Sequence, residues 1–155
     1  MKKHFKYLRY VLRHKWFVLV AGLRVRAPIW RLLIHDWSKF LPQEWFPYVS
    51  SFYGGWGKDR PPEVREAFDQ AWNHHQKTNK HHWQYWLLTN DSDEPKSRPL
   101  EMPEKYAREM VADWAGAGRA ITGKWGALDW YKKNEEKILL HPRTKDLVKT
   151  LLLAL

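Results

Sequence analysis

The sequence has no cysteine among its 155 residues. Disulfides and thiolate metal sites are therefore excluded, and any metal must be held by His, Asp or Glu. A chain without thiols fits a reducing compartment, and the expectation is a cytoplasmic protein. Long apolar runs are also missing. The strongest near the start, Trp16–Leu23, is far too short to span a bilayer and is followed by no convincing cleavage site. Neither a transmembrane helix nor a signal peptide is expected. Strand signals are scarce, with no sustained apolar alternation and no Asn-Gly turn. Acid is absent from residues 1–35, which hold Lys2, Lys3, Lys6, Arg9, Arg13, Lys15, Arg24, Arg26 and Arg31. Such a field attracts nucleic acid, anionic lipid or a phosphorylated small molecule, unless it is only a solvated basic face.

What is present is a globular composition: 44% hydrophobic and 28% charged residues, with a net charge of +10. The length suits one compact domain over residues 1–155. With 11 Trp, 7 Tyr and 6 Phe, the core must be largely aromatic, and its ring N–H and O–H groups need partners. By spacing, Tyr7, Trp16 and Trp30 read as core residues.

Helical periodicity dominates, and the fold class expected is an all-α bundle of six to seven helices. Helices are predicted from about Lys3 to Ala21, from Arg24 to His35, and after Pro42. A loop follows at Gly54–Pro62, then a helix from Pro62 to Thr78, which runs on to Trp86 if unbroken. Thr89–Glu101 reads as a surface loop. Pro103 opens a helix to about Ala115, Gly116–Gly126 reads as a mobile Gly-rich segment, and helices follow near Leu128–Ile138 and from Pro142 to the end. The stripe Leu147, Val148, Leu151, Leu152 and Leu155 should close the core.

Ionisable residues on apolar stripes are costly unless paired or bound to metal. His14 shares a stripe with Tyr7, Val11 and Val18. His35 shares one with Pro28 and Leu32, and Asp36 is its neighbour. Trp72, His75, Asn79, His82 and Trp86 align on an unbroken helix, and Tyr106, Met110, Asp113 and Ala117 repeat the spacing. A lone inward histidine is more often hydrogen-bonded than metal-bound. Five inward groups (His14, His35, His75, His82, Asp113) on four helices call for a shared neutralising charge, which a divalent cation supplies. The segment His74–His82 holds four of the eight histidines. His75 and His82 are preferred as ligands, with His81 next and His74 last. If Asn79 instead marks a helix break, both His81 and His82 can reach a metal.

The motif His35-Asp36-Trp37-Ser38-Lys39 resembles the signature of HD-domain metal-dependent phosphohydrolases. The wider order, with His14 before it and His75, His81, His82 and Asp113 after it, is similar to the ligand order of that family. The chain also looks like a group of small bacterial and phage-type proteins carrying His-Asp-x-Ser-Lys-Phe and Asn-x-His-His-Trp. The resemblance implies an HD-like helical bundle with the ligands converging at its centre. The His-rich middle resembles the two-metal subgroup, which includes both phosphodiester hydrolases and di-iron oxygenases. The compressed second histidine cluster departs from the usual family spacing.

The leading expectation is a metal-dependent hydrolase of phosphomonoesters or phosphodiesters, with a nucleotide or another phosphorylated small molecule as substrate. One or two ions of Fe, Mn, Zn, Co or Ni would be held by His14, His35, Asp36 and Asp113, with His75 and His82 or His81 completing a second site. Asp36 would bridge, having two oxygens. Lys39 would take phosphate charge beside the metals, unless it is merely a surface lysine, and Arg13 and Arg108 are candidate phosphate clamps. The alternatives are a di-iron oxygenase on the same scaffold, or a non-catalytic nucleic-acid or membrane-surface binder using the basic first 35 residues.

Overall fold

Along the first helix Tyr7, Val11, His14, Val18 and Ala21 are buried at intervals of four and three, the period of one α-helical face. In the computed structural model this helix, α1, runs over Lys2–Arg24. The structure describes residues 1–57, 59–89, 91 and 97–155. Among them are six further α-helices: α2 (Ile29–Ile34), α3 (Pro42–Tyr53), α4 (Pro62–Thr78), α5 (Glu104–Thr122), α6 (Ala127–Asn134) and α7 (Pro142–Leu153). One antiparallel pair joins them, β1 (Leu87–Thr89) with β2 (Ser97–Pro99), Leu88 lying opposite Arg98. The all-α expectation holds.

Several boundaries differ from the sequence reading, each for a local reason. The second helix starts at Ile29, not near Arg24, because Arg26 takes a left-handed φ of 54° and Pro28 biases its predecessor away from the helical region. The helix at Pro62 does not continue to Trp86. Asn79 is extended (φ −100°, ψ 107°), and its side-chain amide donates to the His75 carbonyl at 3.0 Å. The predicted surface loop contains β2, and its residues 90 and 92–96 lie outside the described residues.

The glycines at 116 and 118 do not end α5, which continues to Thr122 and stops at Gly123 with φ 76°. Glycine occupies position 116 within the helix because α1 passes against it. A Cβ there would lie 2.6 Å from Val18 Cγ2 and 2.7 Å from the Val18 backbone nitrogen. Trp16 and Trp30 are not core residues: they are 61% and 54% exposed. Trp16 is two residues from both His14 and Val18, which turns it to the far side of α1.

Two apolar cores result. One gathers Val18 and Ala21 of α1 with Met110, Val111 and Ala115 of α5, Tyr131 of α6, and Val148, Leu151 and Leu152 of α7. The other gathers Tyr7 and Val11 of α1 with Tyr48 and Val49 of α3 and Ala71 of α4. On α1, His14 falls between Val11 of one core and Val18 of the other. The polar cluster begins there.

Candidate metal centre

Four helices and the break after α4 bring the inward residues together. His14 comes from α1, His35 from the end of α2, His75 from α4 and Asp113 from α5, with relative exposures of 1%, 1%, 0% and 9%. Asp36 follows α2 in the left-handed conformation (φ 55°, ψ 28°), which Asp tolerates better than most residues. The abrupt turn buries both members of the His-Asp pair. The break at Asn79 places His81 and His82 inside together, and both are buried.

Among the described residues three groups of ligand atoms are close enough to hold an ion; His35, His81 and Glu109 form one, and the other two share Asp36. In the first of these two, His14 Nε2 lies 3.3 Å from His35 Nε2, 3.3 Å from Asp36 Oδ2 and 3.1 Å from Asp113 Oδ1. His35 Nε2 lies 3.3 Å from Asp36 Oδ2 and 3.4 Å from Asp113 Oδ1. In the second, His75 Nε2 and His81 Nε2 each lie 3.3 Å from Asp36 Oδ1, and His82 completes a set whose ligand atoms all lie within 4.8 Å of one another. Donors about 2.1 Å from one ion and roughly 90–110° apart are about 3.0–3.4 Å from each other. Each group can hold a metal ion.

The surroundings orient the imidazoles for that purpose. Glu109 Oε1 lies 3.1 Å from His35 Nδ1 and 3.4 Å from His81 Nδ1, and Glu44 Oε2 lies 2.8 Å from His75 Nδ1. Burial alone would raise the Glu109 pKa. The bonds from His35 and His81 outweigh it and hold that carboxyl at about 2, so it is an ionised acceptor. A ring that donates through Nδ1 turns its Nε2 lone pair to the centre. There, His75 Nε2, His81 Nε2, His82 Nε2 and Asp36 Oδ1 are buried without a hydrogen-bond partner among the described residues. Native interiors rarely leave such atoms unpaired.

Charge points the same way. Asp36, Glu44, Glu109 and Asp113 are buried, while among the described residues the permanent cations paired with them are Lys39 on Asp36 and Arg31 on Glu109. Protonated histidines or a metal must supply the rest. Burial opposes charge on His35, but Asp36, Asp113 and Glu109 outweigh it and lift its pKa well above the ordinary imidazole value. Burial likewise opposes charge on His75, and Asp36 and Glu44 raise it. His82, which has no carboxylate partner among the described residues, is pushed well below by burial and by His81 and His75.

A cavity of about 270 Å³ borders the cluster, lined in part by Tyr7, Lys39, Tyr48, Trp72, His82 and Asp113. The hydroxyls of Tyr7 and Tyr48 are buried without a partner among the described residues, and burial pushes both phenols far above their usual pKa. A second cleft, about 770 Å³, includes buried Asp36 and Glu109 together with exposed Ile34 and Trp37.

The structure thus brings His14, His35, Asp36, His75, His81, His82 and Asp113 together, with Lys39 beside them. It does not bring in Arg13, which stands exposed with its guanidinium over Phe17, or Arg108, which is bonded to the Val25 carbonyl and Glu104. Arg13 follows Leu12 on the outer side of α1, one residue off the buried stripe. His74 is half-buried and outside the cluster, with Nδ1 2.8 Å from Oε1 of the buried Glu44. The sequence reading missed Glu44 and Glu109. Glu109 had a signal, lying one helical turn before Asp113 on the same stripe.

A family model matches residues 3–154, nearly the whole chain. The chain belongs to DUF5662, a family of unknown function. Its match covers every member of the cluster. No curated protein and no solved structure matches the chain.

Proposed function

We propose that this DUF5662 chain holds two divalent metal ions that share Asp36 and that it hydrolyses a phosphoester. The observation that carries this reading is the division of labour at Asp36. Oδ2 faces His14 and His35, and Oδ1 faces His75 and His81, each at 3.3 Å. One ion would be held by His14, His35, Asp36 and Asp113, and the other by Asp36, His75, His81 and His82. Bound there, such ions lower the pKa of a coordinated water and polarise a phosphoryl oxygen.

The remaining groups fit a phosphorylated ligand. Lys39 lies on Asp36 and borders the smaller cavity. Burial works against its charge, but Asp36 and Asp113 raise its pKa, so it remains a cation able to meet a phosphoryl oxygen. Tyr7 and Tyr48 keep their protons and offer two donors into the same space. The His35-Asp36 pair and the ligand order from His14 to Asp113 support the resemblance to HD-domain phosphohydrolases.

The test is elemental analysis of protein purified without added metal, followed by assays on p-nitrophenyl phosphate and bis(p-nitrophenyl) phosphate. Metal should be present, turnover should follow added Mn, Co, Ni, Zn or Fe, and a chelator or Asp36→Asn should abolish it. Asn also tolerates the left-handed backbone at 36, so that variant should fold. Protein that carries no metal and shows no thermal shift with any added ion would overturn the reading. Iron with a visible absorption band and oxygen consumption would replace it with an oxygenase.

A further inference from the structure

α1 carries a second apolar stripe, on its outer side. Phe5, Leu12, Trp16 and Leu23 are 68%, 54%, 61% and 52% exposed. Their spacings of seven, four and seven put them within an arc of about 40° and along a length of about 27 Å. Beside them, Lys2, Lys6, Arg9 and Arg13 repeat at four, three and four, all exposed. No acidic residue occurs before Asp36.

α2 extends this face. Lys15 donates to the carbonyls of Leu33 and His35, and Leu32 lies where a Cβ on Gly22 would be, so α2 runs along the flank of α1 next to the stripe. Its own outward residues are Ile29, Trp30, Leu33 and Ile34, 54–62% exposed, and Trp37 follows at 64%. Single exposed apolar residues are ordinary, but a contiguous set of this size marks an interaction surface.

We infer that this face docks on an anionic lipid bilayer. Apolar side chains flanked by a basic row match a headgroup boundary, where lysines and arginines meet phosphates and Trp, Leu, Ile and Phe enter the acyl edge. A second copy of this chain fits poorly, because two such faces would set the same basic rows against each other. Nucleic acid would satisfy the charges and could stack on Trp16 or Trp30. It would leave Leu12, Leu23, Ile29, Leu33 and Ile34 in water. The cleft that reaches Asp36 shares Ile34 and Trp37 with this face, so docking turns its mouth toward the headgroups.

Co-sedimentation of the full chain with vesicles tests this. Binding should be strong to phosphatidylcholine containing about 30% phosphatidylglycerol and weak to phosphatidylcholine alone. The double change Trp16→Ser with Leu33→Ser alters only exposed residues. It should leave the melting temperature unchanged and lower partitioning by at least about tenfold. Chelator-treated and metal-loaded protein should bind vesicles equally, so this inference and the two-ion reading fail separately. Four results would overturn it: no binding to anionic vesicles, binding indifferent to the double change, displacement from vesicles by single-stranded nucleic acid in preference to lipid, or a solution dimer that the double change dissociates.

Discussion

Asp113 stands 77 residues after Asp36 in the sequence, yet both carboxylates come within 3.3 Å of His14 Nε2. Its charge is what a metal would need and what the apolar packing does not. Asp113→Asn keeps the shape and an acceptor oxygen for His14. The expected result is a folded protein, within about 2 kcal/mol of the parent when metal-free, with metal affinity lowered at least about 100-fold and turnover lost. Metal content and melting with and without chelator check it. Full occupancy in a stable Asn variant would remove Asp113 from the ligand set. Among the described residues no arginine pairs with Asp113, and the cations that it faces, protonated His35 and Lys39, both keep Asp36 as a partner in the variant. At this scale His14, His35, His75 and Asp113 were legible because each interrupts an apolar period, whereas His82 aligns only on a continuous helix, and α4 ends at Thr78. Glu44 and Glu109 were not legible. Glu44 in the first turn of α3 looks like an ordinary acid at a helix N-terminus, and what matters about both is contact with the far nitrogen of an imidazole on another element.

Most helices were readable from periodicity, and their ends were not. The break after α4 depends on the Asn79 amide reaching the His75 carbonyl and Ser38, a contact made only once α4 meets the turn after α2. That break admits both His81 and His82 to the cluster. The continuation of α5 through Gly116 is equally non-local, because the reason for the glycine sits on α1. Asp113 is three residues before Gly116, and His14 is four before Val18, so the helix contact and the ligand contact share one interface. Gly116→Ala should force the helices apart. We expect a loss of about 1–3 kcal/mol in stability and weaker metal binding, whereas Gly118→Ala, with open space around its Cβ, should stabilise slightly or do nothing. Urea melts of the two variants, with metal titrations, make the comparison. Trp16 and Trp30 show the opposite limit. Both read as core by spacing, but Trp16 stands two residues from both His14 and Val18, about 200° round α1 from each, and so lies outside.

For the whole molecule, the metal-free cluster depends on protons. His35 and His75 have folded pKa values above the unfolded imidazole value. Their contribution to stability is full below about pH 6.5 and is lost as pH rises through the raised folded values. With chelator present, the melting temperature should therefore fall as pH climbs above about 6.5. With metal present the dependence should reverse, because ligation needs neutral imidazoles. Scanning calorimetry from acid to mildly alkaline pH reads both curves, and parallel curves would sink the idea that one set of atoms serves both cations. The cluster also lies between two apolar cores, with His14 separating Val11 of one from Val18 of the other. On the two-ion reading its ligands span residues 14 to 113, so the halves cannot part until the ions dissociate. Ion release would then set the lifetime of the folded chain. A protein of modest equilibrium stability could outlast its metal-free form by the ratio of the ion's residence time to the bare unfolding time.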